Sequence, residues 1–252
     1  MSKNRVIARI DVKNEFVIKG IHLEGLRKVG DPNELAKKYY DLGIDEIIFM
    51  DAVAAYYDRN SLSHIIEKAC SDVFVPITVG GGIRSIENIQ TALNSGADKV
   101  AINTQSVKDP SFIQHASKTF GSQCIVSSVD AMRIADGKWE VFIDNGREPT
   151  GLDVIEWVKK LEALGAGEIM LTSIDSEGTK KGFDLELNKA VGEAVFIPVI
   201  ASGGAGTVSD ITDLMAESNV DAVAVASLLH YDLATISDIK LGLSAQGIKV
   251  RM

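Results

Sequence analysis

What this sequence lacks narrows it quickly. It has two cysteines, Cys70 and Cys124, with neither metal-ligand spacing nor the density of a disulfide scaffold. Two reduced thiols and a cytoplasmic setting are the expectation. Positive charge is scarce: 26 Lys and Arg stand against 35 Asp and Glu, and a net charge of −9 gives a nucleic-acid partner no bulk electrostatic support. No apolar run approaches the length of a membrane span, and the opening Met1 to Arg5 carries no apolar stretch or cleavage pattern of a leader. The histidines His22, His64, His115 and His230 show no ligand spacing. No H-E-x-x-H, Ser-His-Asp order or nucleophile elbow is present. The expectation is a chain without a metal, a cofactor, a nucleic-acid partner or a membrane.

What is there is a rhythm. Short Val- and Ile-rich runs recur at Val6–Ile10, Glu46–Met50, Val75–Val79, Lys99–Ile102, Cys124–Val129, Glu168–Thr172, Ile197–Ala201 and Ala222–Ala226. Between most of them lie amphipathic stretches such as Asn33–Leu42 and Asp153–Leu164, with apolar residues at three- and four-residue steps. Apolar strands alternating with helices predict a parallel sheet buried on both faces. Eight such strands in 252 residues fit a (β/α)8 TIM barrel, expected to be one domain over residues 1–252. The chain also echoes itself half a length apart. Gly43-Ile44-Asp45-Glu46-Ile47 returns as Gly165-Ala166-Gly167-Glu168-Ile169, Gly80-Gly81-Gly82 near Gly203-Gly204, and Asp98-Lys99-Val100-Ala101 as Asp221-Ala222-Val223-Ala224. Features repeated in order predict two fused half-barrels.

In such a barrel the C-terminal ends of the strands hold the chemistry. Asp11 and Asp130 end the first and fifth runs and so face each other across the mouth. An aspartate there can simply cap the following loop. Two placed symmetrically favour acid–base work on opposite sides of a substrate. Gly80-Gly81-Gly82 and Gly203-Gly204-Ala205-Gly206 follow strands, and Asn103-Thr104 and Ala226-Ser227 end the next strand in each half. Glycines let backbone N–H groups approach an anion, so two phosphate sites and a substrate phosphorylated at both ends are expected, although tight turns alone also use glycine. Lys19 sits in a long first loop, Val12 to about Pro32, where a lysine is either a solvated charge or a lid group reaching a phosphate. Arg5, Glu46, Lys99 and Glu168 open strands one, two, four and six. Residue types alone make that ring a salt-bridged plug more readily than a gate. Trp139, Trp157 and the tyrosines read as core or lid packing.

The residues also carry a resemblance over essentially the whole chain. Ile10-Asp11-Val12-Lys13, Lys19-Gly20, Thr78-Val79-Gly80-Gly81-Gly82-Ile83, Gly96-Ala97-Asp98-Lys99-Val100 and Phe120-Gly121-Ser122-Gln123 resemble the cyclase subunit of imidazole glycerol phosphate synthase. So do Leu171-Thr172-Ser173, Gly178-Thr179-Lys180 and Ala201-Ser202-Gly203-Gly204-Ala205-Gly206. The resemblance implies a carbon–nitrogen lyase of histidine biosynthesis. It would take ammonia from a glutaminase subunit docked at the N-terminal face of the barrel. With phosphoribulosyl-formimino aminoimidazole carboxamide ribonucleotide it would give imidazole glycerol phosphate and aminoimidazole carboxamide ribonucleotide. The resemblance implies Asp11 and Asp130 as the acid–base pair and Lys19 as the lid lysine. It implies Gly82, Asn103 and Thr104 as one phosphate site, and Gly178, Gly203, Gly204, Ala226 and Ser227 as the other. It makes Arg5, Glu46, Lys99 and Glu168 an ammonia gate, against the plug reading.

The chain departs from that pattern at several places. Arg9 stands where the family has a small residue, Asn14-Glu15 for Asp-Gly, Val53 and Ala55 for two hydroxyl residues, and Ser176-Glu177 for Arg-Asp. Three alternatives therefore stay open. One is a paralogue working with a glutaminase in surface-polysaccharide sugar amidation. The second is the sister sugar isomerase of the histidine pathway. The third is a non-catalytic scaffold that activates a glutaminase.

Overall fold

A computed structural model of the chain describes residues 4–52 and 62–252; Val53 and Ala55 lie outside the described residues. The strands are β1 (Arg5–Lys13), β2 (Phe16–Ile21), β3 (Glu24–Gly30), β4 (Glu46–Asp51), β5 (Ile77–Gly80) and β6 (Lys99–Ile102). They continue as β7 (Ile125–Ala135), β8 (Lys138–Ile143), β9 (Glu148–Asp153), β10 (Glu168–Ser173), β11 (Val199–Ser202) and β12 (Ala222–Val225). Eight of them run parallel in the order β1-β4-β5-β6-β7-β10-β11-β12, and β12 pairs back onto β1 from Arg5 opposite Ala222 to Ala8 opposite Val225. The sheet is therefore a closed eight-stranded barrel surrounded by helices, as the alternating pattern predicts.

Two-residue periodicity divides the strands. Ile7, Ile48, Ala101, Val126, Met170, Ile200, Ala222 and Ala224 point inward and form an apolar layer of their own. Their neighbours, such as Val6, Ala8, Ile47 and Val223, face the helices in the larger core. A one-residue slip would exchange the two sets, so the apolar pattern sets the register. The helices begin where short polar side chains cap them. Asp31 accepts from the N–H of Asn33 and Glu34 ahead of Pro32–Asp41, Asp153 caps Val154–Ala163, and Thr207 forms a capping box with Asp210. In Val154–Ala163 the buried Val154, Trp157, Val158 and Leu161 fall on one face, which places Trp157 in the core.

A buried ion pair ties the two ends of the chain together. Lys240, in the helix Ile236–Ala245, reaches Asp45 at 2.8 Å, and the other Asp45 oxygen accepts the N–H of Val6 at 2.8 Å. Lys240 also donates to the Gly43 carbonyl at 2.8 Å.

The first loop differs from its sequence reading. It is an antiparallel hairpin, β2 and β3, that continues from β1 through Val12 opposite Val17. Val17, Ile18 and Lys19 of β2 are buried in succession, so both faces of this strand are covered. Its tip is turned by His22 and Leu23, both at positive φ. The tip is pinned over the mouth: the His22 N–H donates to the Glu177 carbonyl at 2.8 Å, and Leu23 packs on Phe142 and Ile174. Lys19 is consequently 5% exposed and is no solvated charge.

Candidate active site

Asp11 and Asp130 sit on β1 and β7, the first and fifth strands around the barrel, both at the C-terminal end and both 7% exposed. Their surroundings differ. Asp11 Oδ1 accepts from Arg9 Nε at 2.9 Å, and Oδ2 faces Lys19 Nζ at 3.4 Å. Burial alone would push the Asp11 carboxyl up, but the guanidinium of Arg9 and the ammonium of Lys19 outweigh it and hold it below the usual carboxylate range. Asp130 accepts one bond from Asn103 Nδ2 at 2.9 Å. Burial dominates there and pushes it up to about 6, against the pull of Arg9 and the Asn103 bond. Two carboxyl groups with affinities driven apart can divide the roles of base and acid near neutral pH. Replacing Asn103 by Ala removes a donor that favours the charged form, so Asp130 is expected to titrate above about 6, read from its carboxyl ¹³C resonance against pH. A midpoint that falls or stays put contradicts this assignment of forces.

The two glycine clusters border separate cavities. Gly81, Gly82, Asn103 and Thr104 line one of about 110 Å³ together with Arg9, Ser128 and Asp130. Gly81 and Gly82 adopt positive φ, and a Cβ on Gly81 would collide with the Asp51 backbone. Arg84 and Lys108 add cationic side chains to this cavity. Gly178, Gly203, Gly204, Ala226 and Ser227 line the second, of about 10 Å³, together with Lys19 and Glu177. Gly203 and Gly204 also lie at positive φ, and a Cβ on Gly204 would run into the Gly182 carbonyl. Lys19 Nζ is bonded to Glu177 Oε1, in a pair 5% and 4% exposed at the side chains.

At the other end of the barrel the four charged strand starts close into a ring. Arg5 reaches Glu46 at 2.8 Å and Glu168 at 3.1 Å, and Lys99 reaches Glu168 at 2.9 Å and Glu46 at 3.3 Å. The apolar layer of Ile7, Ile48, Val126, Met170 and Ile200 lies above it.

A protein-family model described as "Histidine biosynthesis protein" matches residues 5–235. The chain belongs to that family. It is 57% identical over 210 residues to the imidazole glycerol phosphate synthase subunit HisF of Legionella pneumophila, an alignment covering 83% of this chain and 99% of that relative.

Within this family member, the residues singled out from the sequence fall into three groups: the aspartate pair with Lys19, the two cavities, and the ring at the opposite end. Sequence reasoning missed Ser128, Thr172 and Ser202, which line the lumen one layer below the mouth, and Glu177 in the wall of the second cavity. The signal was available as two-residue spacing, since Ser128 precedes Asp130 as Arg9 precedes Asp11. It also missed Phe74 and Phe196, 75% and 101% exposed, in the segments leading into β5 and β11 on the face that carries the charged ring. Among the described residues no group of His, Cys, Asp and Glu is arranged to hold a metal ion, and no helix is long and apolar enough to cross a membrane.

Proposed function

We propose that this chain is the cyclase subunit of imidazole glycerol phosphate synthase, acting in the cytoplasm as one barrel domain over residues 1–252 built from two half-barrels. The 57% identity to a subunit of that synthase, over 99% of the relative, carries the reading. The placement of an aspartate pair between two glycine-lined cavities supports it chemically. The substrate is phosphoribulosyl-formimino aminoimidazole carboxamide ribonucleotide. One phosphate sits at Gly82, Asn103 and Thr104, the other at Gly178, Gly203, Gly204, Ala226 and Ser227, where N–H groups at positive-φ glycines and helix starts meet an anion. Anchoring both ends holds the reacting middle between Asp11 and Asp130.

Asp11, kept ionised by Arg9 and Lys19, takes protons as ammonia condenses with the substrate carbonyl. Asp130, pushed up to about 6 and so protonated in a minor fraction near neutral pH, returns one to the departing groups as the ring closes and the chain is cleaved. Lys19 leaves Glu177 for the substrate phosphate as the hairpin settles on it. Imidazole glycerol phosphate and aminoimidazole carboxamide ribonucleotide are the products. No cofactor takes part.

A glutaminase subunit docks on the N-terminal face and delivers ammonia through the ring of Arg5, Glu46, Lys99 and Glu168. Neutral ammonia carried along a dry axis is kept from protonation in water. Phe74 and Phe196 suit the buried anchors of such an interface. Phe196→Asp is expected to raise the Kd for the glutaminase at least about tenfold, the loss typical of an aromatic hot spot, measured by titration calorimetry. An unchanged Kd removes this face from the interface. The activity itself is tested with purified protein, the bisphosphorylated substrate and excess ammonium salt at alkaline pH. Formation of both products supports the cyclase. Their absence, in protein that still binds the substrate, overturns it and favours the sugar-amidating paralogue.

A further inference from the structure

We propose that Arg9 is a positioning residue of the reacting centre: its guanidinium ties the Asp11 carboxylate to β10 and β11 across the lumen and thereby fixes where Asp11 meets the substrate. The inference rests on the reading of Asp11 as an acid–base group. Arg9 lies two residues before Asp11 on β1, so both side chains project into the barrel, one layer apart. Nε donates to Asp11 Oδ1 at 2.9 Å, while Nη1 donates to Thr172 Oγ1 at 3.0 Å and to Ser202 Oγ at 3.1 Å. A planar guanidinium held on two edges has little freedom to rotate, and its fork transmits that fixity to the carboxylate. The side chain is 4% exposed, above the apolar layer of Ile7, Ile48 and Met170.

Two cations address Asp11, and they differ in kind. Lys19 comes from β2, in the hairpin over the mouth, stands at 3.4 Å, and is shared with Glu177. Arg9 comes from a barrel strand and bonds Asp11 at shorter range. Lys19 rides on the hairpin and Arg9 on the barrel wall, so any lifting of the hairpin would carry Lys19 away and leave Arg9 in place. Arginine also keeps its charge at every working pH, in a buried site as in water. Arg9 thus holds Asp11 ready through the whole cycle.

The charged and titratable groups facing Asp11 are Arg9 on its own strand, Lys19 on β2, Asp130 on β7, Glu177 after β10 and His230 in the helix Ser227–His230. Burial pushes His230 down to about 4, so it is neutral at working pH. Asp130 and Glu177 are acidic. Lys19 and Arg9 are the cations against which the Asp11 charge is balanced, and Arg9 acts on it more strongly.

The test compares the full-length chain with Arg9→Met and Arg9→Lys by two readouts: turnover of the bisphosphorylated substrate in ammonium salt, and ¹³C titration of the aspartate carboxyls. For Arg9→Met the expected kcat falls at least about tenfold, and by more than any rise in KM, which the loss of Arg9 from the Gly81–Gly82 cavity can also bring. The Asp11 titration is expected to move up by at least about one pH unit as its nearest counter-charge is lost. Arg9→Lys is expected to restore part of both. A kcat within about twofold of wild type, or a fallen kcat with an unmoved Asp11 titration, overturns the proposal, because packing alone would not shift the carboxyl. Should Arg9→Met fail to fold, the double variant Thr172→Val, Ser202→Ala keeps the cation and releases its anchor. A kcat reduced at least about threefold at constant KM then supports the proposal, and an unchanged kcat overturns it. If wild type turns over nothing while Arg9→Met moves the Asp11 titration, the positioning role stands and the cyclase reading falls.

Discussion

Asp11→Asn is expected to lower kcat by about 10²–10⁴-fold while leaving KM for the bisphosphorylated substrate within a factor of a few, the loss usual for removing a general base. The substitution keeps the shape of the side chain and still offers Arg9 an oxygen, so the barrel should stay folded. What disappears is a carboxylate that can accept a proton, together with the negative charge against which Arg9 and Lys19 are balanced. The proposed phosphate sites are the two glycine-lined cavities, which Asp11 does not line, so KM is expected to be spared. Steady-state kinetics at saturating ammonium salt decide the matter. A rise in KM with kcat unchanged would make Asp11 a binding group, and an activity near wild type would remove it from the chemistry.

The second large effect is on stability. Asp45→Ala is expected to cost about 3–5 kcal/mol, because it strands one partner of a buried ion pair. Lys240 and Asp45 are 7% and 2% exposed at their side chains and meet at 2.8 Å. Without the carboxylate the ammonium keeps only the Gly43 carbonyl, and the Val6 N–H loses its acceptor. The damage falls where it matters for closure, between β1 and the helix Ile236–Ala245. Chemical denaturation of wild type and Asp45→Ala measures it. Adding Lys240→Met should recover a large part of the loss, since removing both charges is far milder than orphaning one, although the Val6 N–H stays unpaired. A loss below about 1 kcal/mol in the single variant would mean that Lys240 reaches water or another acceptor at little cost.

Much of the barrel is legible in the sequence because each strand must bury one set of residues inside the ring and the other under helices. Ile7 and Val6, or Ile48 and Ile47, are apolar for different neighbours, yet together they give the unbroken apolar runs that mark buried parallel strands. The site residues were legible where strand ends met glycine or aspartate, as at Asp130 and Gly203-Gly204. The first hairpin was not, because β2 carries only a short apolar run, Val17 and Ile18, beside an exposed Phe16, and its turn is built from His22 and Leu23, neither a usual turn residue. Glu177 was noticed only as a departure. That it pairs with Lys19 depends on two segments more than a hundred residues apart meeting over the mouth, which no local pattern encodes. The ring at the barrel floor was legible as alternating charge, because the barrel strands follow chain order; only its pairing distances required the structure.

The central claim is that the cleft between Asp11 and Asp130 builds ammonia nitrogen into an imidazole ring. It is tested most directly by supplying the bisphosphorylated substrate and ¹⁵N-labelled ammonium salt to the purified chain and following the label by mass spectrometry. The account predicts one labelled nitrogen in imidazole glycerol phosphate, none in the aminoimidazole carboxamide ribonucleotide released with it, and no label incorporation by Asp11→Asn on the same time scale. Unlabelled imidazole product, label in the ribonucleotide, or incorporation by Asp11→Asn at the wild-type rate would contradict it.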